Sequence, residues 1–128
     1  MTQDRPTAAE LVEAVREFLE RDVMTATEGR VQFHTRVAVN ALGMIERELT
    51  IGAGFADSER ARAAALLGND ADLRNESGVG DLERELAARI RDGSLDDRLD
   101  AVHAHVRETV REKLLVANPG YLPAEPSA

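Results

Sequence analysis

The chain has 128 residues and 14.0 kDa, 43% of them apolar, 31% charged and only 3% aromatic, which fits one globular domain whose core is built from Leu, Val, Ile and Ala. Sixteen Lys and Arg against 24 Asp and Glu leave a net charge of −8, a sign that repels a phosphate backbone and excludes generic nucleic-acid binding. No cysteine means no disulfide, thiol nucleophile or thiolate metal site, and no basic, apolar leader or long apolar span is seen, so the expected compartment is the cytoplasm, with no membrane partner.

A single domain over 1–128 is expected, with loose ends at 1–6 and 123–128. Thr7-Ala8-Ala9-Glu10 has the spacing of a capping box, in which the Thr7 hydroxyl accepts from the Glu10 amide while Glu10 reaches back. A first helix should follow, burying Leu11, Val15, Phe18, Leu19 and Val23, and turning at Thr25 to Gly29. The second, over about 31–49, carries Phe33, Val37, Ala41, Ile45 and Leu49 on one stripe and is expected to be the most buried. Gly43 within it costs about 1 kcal/mol relative to Ala, which points to close packing or a tolerated weak spot.

Gly52-Ala53-Gly54 should break the chain, with Asp57 or Ser58 capping a short third helix that stops at Gly68. The polar, aperiodic stretch 69–80 is expected to be a loop. Asp81 then caps a fourth helix with Leu82, Leu86 and Ile90 inside, ended by Gly93. A fifth opens at Ser94 or Asp96, buries Leu99, Val102, Val106, Val110 and Leu114, and stops at Asn118-Pro119-Gly120, since proline disfavours helical geometry in the residue before it. Tyr121 and Leu122 should fold back as an anchor. No segment alternates with period two, so the expected fold is all-α, an irregular antiparallel bundle of four to five helices.

Candidate chemistry is sparse. His103 and His105 are two apart and point to opposite sides of a helix, whereas chelating helical pairs are three or four apart. Ser58, Ser77 and Ser94 sit at turns or caps, and the carboxylates are spread along solvent faces among arginines. Gly52-Ala53-Gly54 and Gly78-Val79-Gly80 lack the remaining residues of any phosphate-binding loop. No catalytic residue, cofactor or metal site is therefore expected, and the chain is not expected to be an enzyme. His34, Arg36 and Asn40 form a polar group beside the Phe33/Val37 stripe that can bind an anion, position a partner or close an internal hydrogen-bond network.

Four stretches carry a family resemblance: Gln3 to Ala8 leading into Leu11; Phe33-His34-Thr35-Arg36-Val37-Ala38-Val39-Asn40-Ala41-Leu42; Leu86 to Gly93; and Lys113-Leu114 through Asn118-Pro119-Gly120-Tyr121-Leu122. In these the chain resembles a bacterial family of small helical proteins catalogued as a domain of unknown function, one member of which is an accessory protein of levulinate catabolism. The second and fourth stretches are the specific ones. The resemblance implies association with an aminoglycoside-phosphotransferase-like kinase and an acyl-CoA dehydrogenase-like enzyme. This chain would then be a non-catalytic accessory subunit of a kinase that acts on hydroxyacyl-CoA substrates in bacterial catabolism. Phe33, His34, Arg36, Asn40, Asn118, Pro119 and Tyr121 are the candidate interface or motif positions. The alternatives are a self-associating helical protein, or a small-molecule binder using His34, Arg36 and Asn40.

Overall fold

The computed structural model describes residues 4–68 and 79–123. Four helices and no strand occur among the described residues, as the periodicity implies. Helix α1 runs as Ala8–Phe18, a π-helical segment Leu19–Val23 and a last turn Met24–Ala26. Its start is the expected capping box: the Glu10 amide donates to Thr7 Oγ1 at 3.1 Å, and the Thr7 amide donates to the Glu10 carboxylate at 3.4 Å. Thr27 and Glu28, both extended, connect it to α2, and Gln32 Nε2 donates back to the Met24 carbonyl, satisfying one of the carbonyls left open at the end of α1.

Helix α2 is where structure and sequence part most clearly. It runs as Gly29–Arg47, a π-helical segment Glu48–Gly52 and Ala53–Leu67, with helical backbone angles at both joins, so the expected break at Gly52-Ala53-Gly54 does not occur. The chain continues through these glycines as a π turn with ordinary helical angles. One extra residue there rotates everything that follows by about 100° about the helix axis, so the two halves of α2 bury different faces. Gly52 is buried, and a Cβ there would come within 2.5 Å of Glu48 Oε1; its bare backbone lets the Glu48 carboxylate lie against the turn. Ser58 is consequently no cap; it sits mid-helix and accepts from Arg62 Nη1 at 2.8 Å.

Helix α3 is Val79–Arg91, with Asp81 inside its first turn, where it pairs with Arg84. The expected loop over 69–80 lies outside the described residues except for Val79 and Gly80, which are helical. After Gly93, at φ +85°, a 3₁₀ turn Asp96–Arg98 leads into helix α4, Leu99–Ala117, and a second 3₁₀ turn, Pro119–Tyr121, follows it. Of the expected loose ends, 1–3 and 124–128 lie outside the described residues.

The core sits at one end of the molecule. Ala63, Leu66 and Leu67 of α2 close on Leu82 and Leu86 of α3, Leu95, and Val102 of α4. Arg89 Nη1 donates to the Leu67 carbonyl at 2.8 Å and Arg98 Nη2 donates to the Leu66 carbonyl, so the end of the long helix is satisfied by cations from two other elements. The opposite end is an antiparallel hairpin of α1 on Gly29–Arg47, tied by the Arg16–Glu46 ion pair at 2.5 Å.

That hairpin buries no large apolar side chain. Thr35 alone is buried in Gly29–Arg47, and nothing is buried in Ala8–Phe18, so the expectation of a most-buried second helix is overturned. Leu11, Val15, Phe18, Phe33, Val37, Ile45 and Leu49, all expected in the core, are exposed because only one helix packs along each, while Val12 and Leu19 take the inner line of α1. On α4 the expected stripe fails in the same way: Val102 is buried, but Leu99, Val106 and Val110 are exposed. Tyr121 is 73% exposed and anchors nothing; Leu122, half-buried, folds back beside Leu114 and Leu115.

Candidate functional site

Two polar constellations and one apolar stripe stand out once the helices are placed. The stripe lies on the outer side of α2, away from α1. Phe33, Val37, Asn40 and Met44 follow a four–three–four spacing, which keeps them on one line of a helix. Phe33 is 62% exposed, Val37 49% and Met44 43%, and Asn40 is exposed among them. Along the helix no carboxylate occurs between Glu28 and Glu46 while Arg30 and Arg36 do, and the nearest carboxylates, Glu20 and Glu46, line the cleft beside Asn40 and Met44.

Beside the stripe is a cleft of about 800 Å³ between the hairpin and the end of α4. Asn40, Gly43 and Arg47 of α2, Arg16 of α1, and Asn118 with Pro119 line it. Arg47 Nε donates to the Val116 carbonyl at 2.7 Å, which satisfies the last turn of α4 and leaves the two Nη groups facing Gly43. A Cβ at Gly43 would stand 3.4 Å from Arg47 Nη1, an ordinary van der Waals contact. Arg16 is occupied by Glu46 at 2.5 Å and Glu20 at 3.2 Å, and its pKa is held above the ordinary guanidinium value, first by the hydrogen bond to Glu46.

The candidate motif residues are therefore divided. Asn40, Asn118 and Pro119, distant in sequence, share the cleft. Phe33 lies outside the cleft, on the outer stripe two turns from Asn40, and Arg36 and Tyr121 are exposed. His34 is exposed elsewhere, in a shallow depression with Leu19, Val31, Thr35 and Ala38, its ring edge-on to Phe33 at 5.5 Å. His34 is separated from the other two, since residues two apart leave a helix in different directions; Arg36 and Asn40, four apart, share a face, and of the three Asn40 lines the cleft at the end of α4.

The second polar constellation was not singled out by spacing. Arg62 on α2 donates through Nε to His105 Nδ1 at 3.3 Å and through Nη2 to Thr109 Oγ1 at 3.1 Å and Glu112 Oε1 at 2.5 Å. His105 and Glu112 are both 5% exposed. Burial, and then the neighbouring Arg62 charge, pull the His105 pKa below its ordinary value, so the ring is neutral and accepts at Nδ1. Glu59, one turn earlier on α2, is buried, and its Oε1 has no hydrogen-bond partner. Burial, with a hydrogen bond to and repulsion from Glu83 on α3, pushes its pKa up to about 7, against the opposing pull of Lys113 and Arg62. The signal for this network was a second line on α4, Val102, His105, Thr109, Glu112 and Val116, with helical spacing but half polar.

Among the described residues no three His, Asp or Glu side chains are grouped so as to hold a metal ion, and no helix is long and apolar enough to cross a membrane. Residues 25–121 match the family model described as Domain of unknown function (DUF6285). No curated protein and no solved structure gives a significant match to the chain.

Proposed function

Because the chain belongs to the DUF6285 family, whose model covers the outer stripe, the α2 and Asn118–Pro119 walls of the cleft and the motif stretches up to Tyr121, we propose that these features form the docking surface of an accessory subunit. The partner is an aminoglycoside-phosphotransferase-like kinase that acts on hydroxyacyl-CoA substrates in bacterial catabolism, as the resemblance of the motif stretches implies. The observation that supports this reading is the exposed line Phe33, Val37 and Met44, placed on an acid-free stretch of an acidic chain.

Large aromatic and Met side chains flanked by Arg are the composition of binding hot spots rather than of solvent-facing helix surface. Asn40 in the middle of the line gives a partner helix one register to choose, since an unpaired amide in a buried seam is costly. Arg30 and Arg36 favour a partner whose apolar groove has an acidic rim. In this division of labour the kinase supplies the nucleotide site and phosphoryl transfer, and this subunit stabilises or completes it within the cell interior.

The test is co-purification of the two chains and the kinase rate with and without this one. Binding with a changed rate is expected, and Phe33→Arg/Met44→Arg should abolish both while leaving the helical content intact. No association and no change in rate would remove the proposal. The cleft favours a second reading, a small-molecule site around Asn40, Arg47 and Asn118, because its volume is that of an ordinary ligand pocket. Under that reading Asn118→Ala would abolish the effect on the kinase while the complex still forms.

A further inference from the structure

The hairpin of α1 on Gly29–Arg47 has two broad sides. On one, Arg47 reaches the end of α4. The other carries Leu11, Val15 and Phe18 from α1 with Val31, Ile45 and Leu49 from α2, each between 44% and 56% exposed. Their common placement follows from helical geometry. The Arg16–Glu46 pair marks the line of contact, and at about 100° per residue all six fall to the same side of it in an antiparallel pair. Glu10, Glu13, Glu17 and Glu20 of α1 fall to the other side by the same count. A chain of net charge −8 thus keeps one side of its hairpin apolar.

We infer that this side is the interface of a twofold homodimer, in which two hairpins face one another as a four-helix bundle. Two helices alone cannot enclose a core, and this hairpin encloses none; a second hairpin supplies the missing layer. The six side chains present about 500 Å² of apolar surface, which is close to the apolar share of the roughly 800 Å² per partner that a stable dimer buries. Charge favours a second copy as well. Two strongly acidic chains approach most closely through a side poor in carboxylates, and here Glu10, Glu13, Glu17 and Glu20 turn away from it, with Asp22 alone at its end, four residues beyond Phe18. The surface is distinct from the outer stripe Phe33, Val37 and Met44, so dimerisation leaves that stripe free and the two proposals fail separately.

Light scattering on the full chain at about 50 μM should give a mass of 28.0 kDa, twice the 14.0 kDa of one copy. Val15→Glu/Ile45→Glu should shift it to 14.0 kDa with helical circular dichroism retained, a loss of at least about 100-fold in dimer affinity, whereas Phe33→Arg should remain dimeric. A wild-type mass of 14.0 kDa, a dimer that survives the double substitution, or one dissociated by Phe33→Arg, would each overturn the inference. Should the double variant lose its helices, the cysteine-free chain allows Val15→Cys as a reporter: thiol alkylation should slow as protein concentration rises, and a rate independent of concentration would overturn it too.

Discussion

Replacing Glu59 by Gln should remove a pH dependence that the wild-type protein carries. Unfolded, the Glu59 carboxyl loses its proton near its ordinary value of 4.5; folded, it keeps the proton until about 7, because burial and Glu83 disfavour the anion more than Lys113 and Arg62 favour it. The folded state therefore binds the extra proton between these values. The stability Glu59 contributes is complete below about pH 4.5 and is lost as pH rises through about 7. The difference of about 2.5 units corresponds to about 3 kcal/mol at about 1.4 kcal/mol per unit.

His105 acts in the opposite sense, since its lowered pKa makes its contribution fall away as pH drops below about 6.5. The two slopes partly cancel in the wild type, and Glu59→Gln isolates one of them. A neutral amide donates to Glu83 as the carboxyl proton does and leaves His105, Arg62 and Glu112 in place. Urea unfolding followed by circular dichroism, at steps from about pH 4 to 8 and constant ionic strength, should show equal stabilities at the acid end. By the alkaline end the variant should be more stable by up to about 3 kcal/mol. Parallel curves for the two proteins would refute the reasoning.

Arg62→Met should cost about 2–3 kcal/mol, because it leaves the buried Glu112 without its cation and His105 and Thr109 without their donor; denaturant unfolding at neutral pH checks this, and a loss under about 0.5 kcal/mol would count against the network. Leu82→Ala, at the one large side chain among the described residues that is wholly enclosed, should cost about 2–5 kcal/mol in the same assay. Phe33→Ser should change stability by no more than about 0.5 kcal/mol, since that ring is mostly in solvent, while weakening partner binding at least tenfold by calorimetric titration.

Local signals were legible where the backbone itself carries them. The Thr7 to Glu10 capping box, the stop at Gly93 and the helix end at Asn118-Pro119 are all where spacing and side-chain chemistry put them. The run at Gly52 to Gly54 misled because two glycines lower helix propensity but do not forbid a helix, and a π turn with Gly52 against Glu48 accommodates them.

Which apolar line faces inward was not legible, because hydrophobic periodicity marks a face without saying what covers it. On α4 the more apolar line, Leu99, Val106 and Val110, stays outside. The half-polar line through His105, Thr109 and Glu112 goes inside because Arg62, on another helix, complements it. The candidate site shows the same division: Asn40, Asn118 and Pro119 were each visible as motif positions, but their meeting depends on Arg47 reaching the Val116 carbonyl across 69 residues of sequence.

Amide hydrogen exchange of this chain, alone and with an excess of the kinase, tests the docking claim most directly. Docking should slow exchange about tenfold or more in Gly29–Arg47 and around Asn118 to Tyr121, an effect lost with Phe33→Arg/Met44→Arg. Exchange unchanged in Gly29–Arg47 when the kinase is saturating would contradict it.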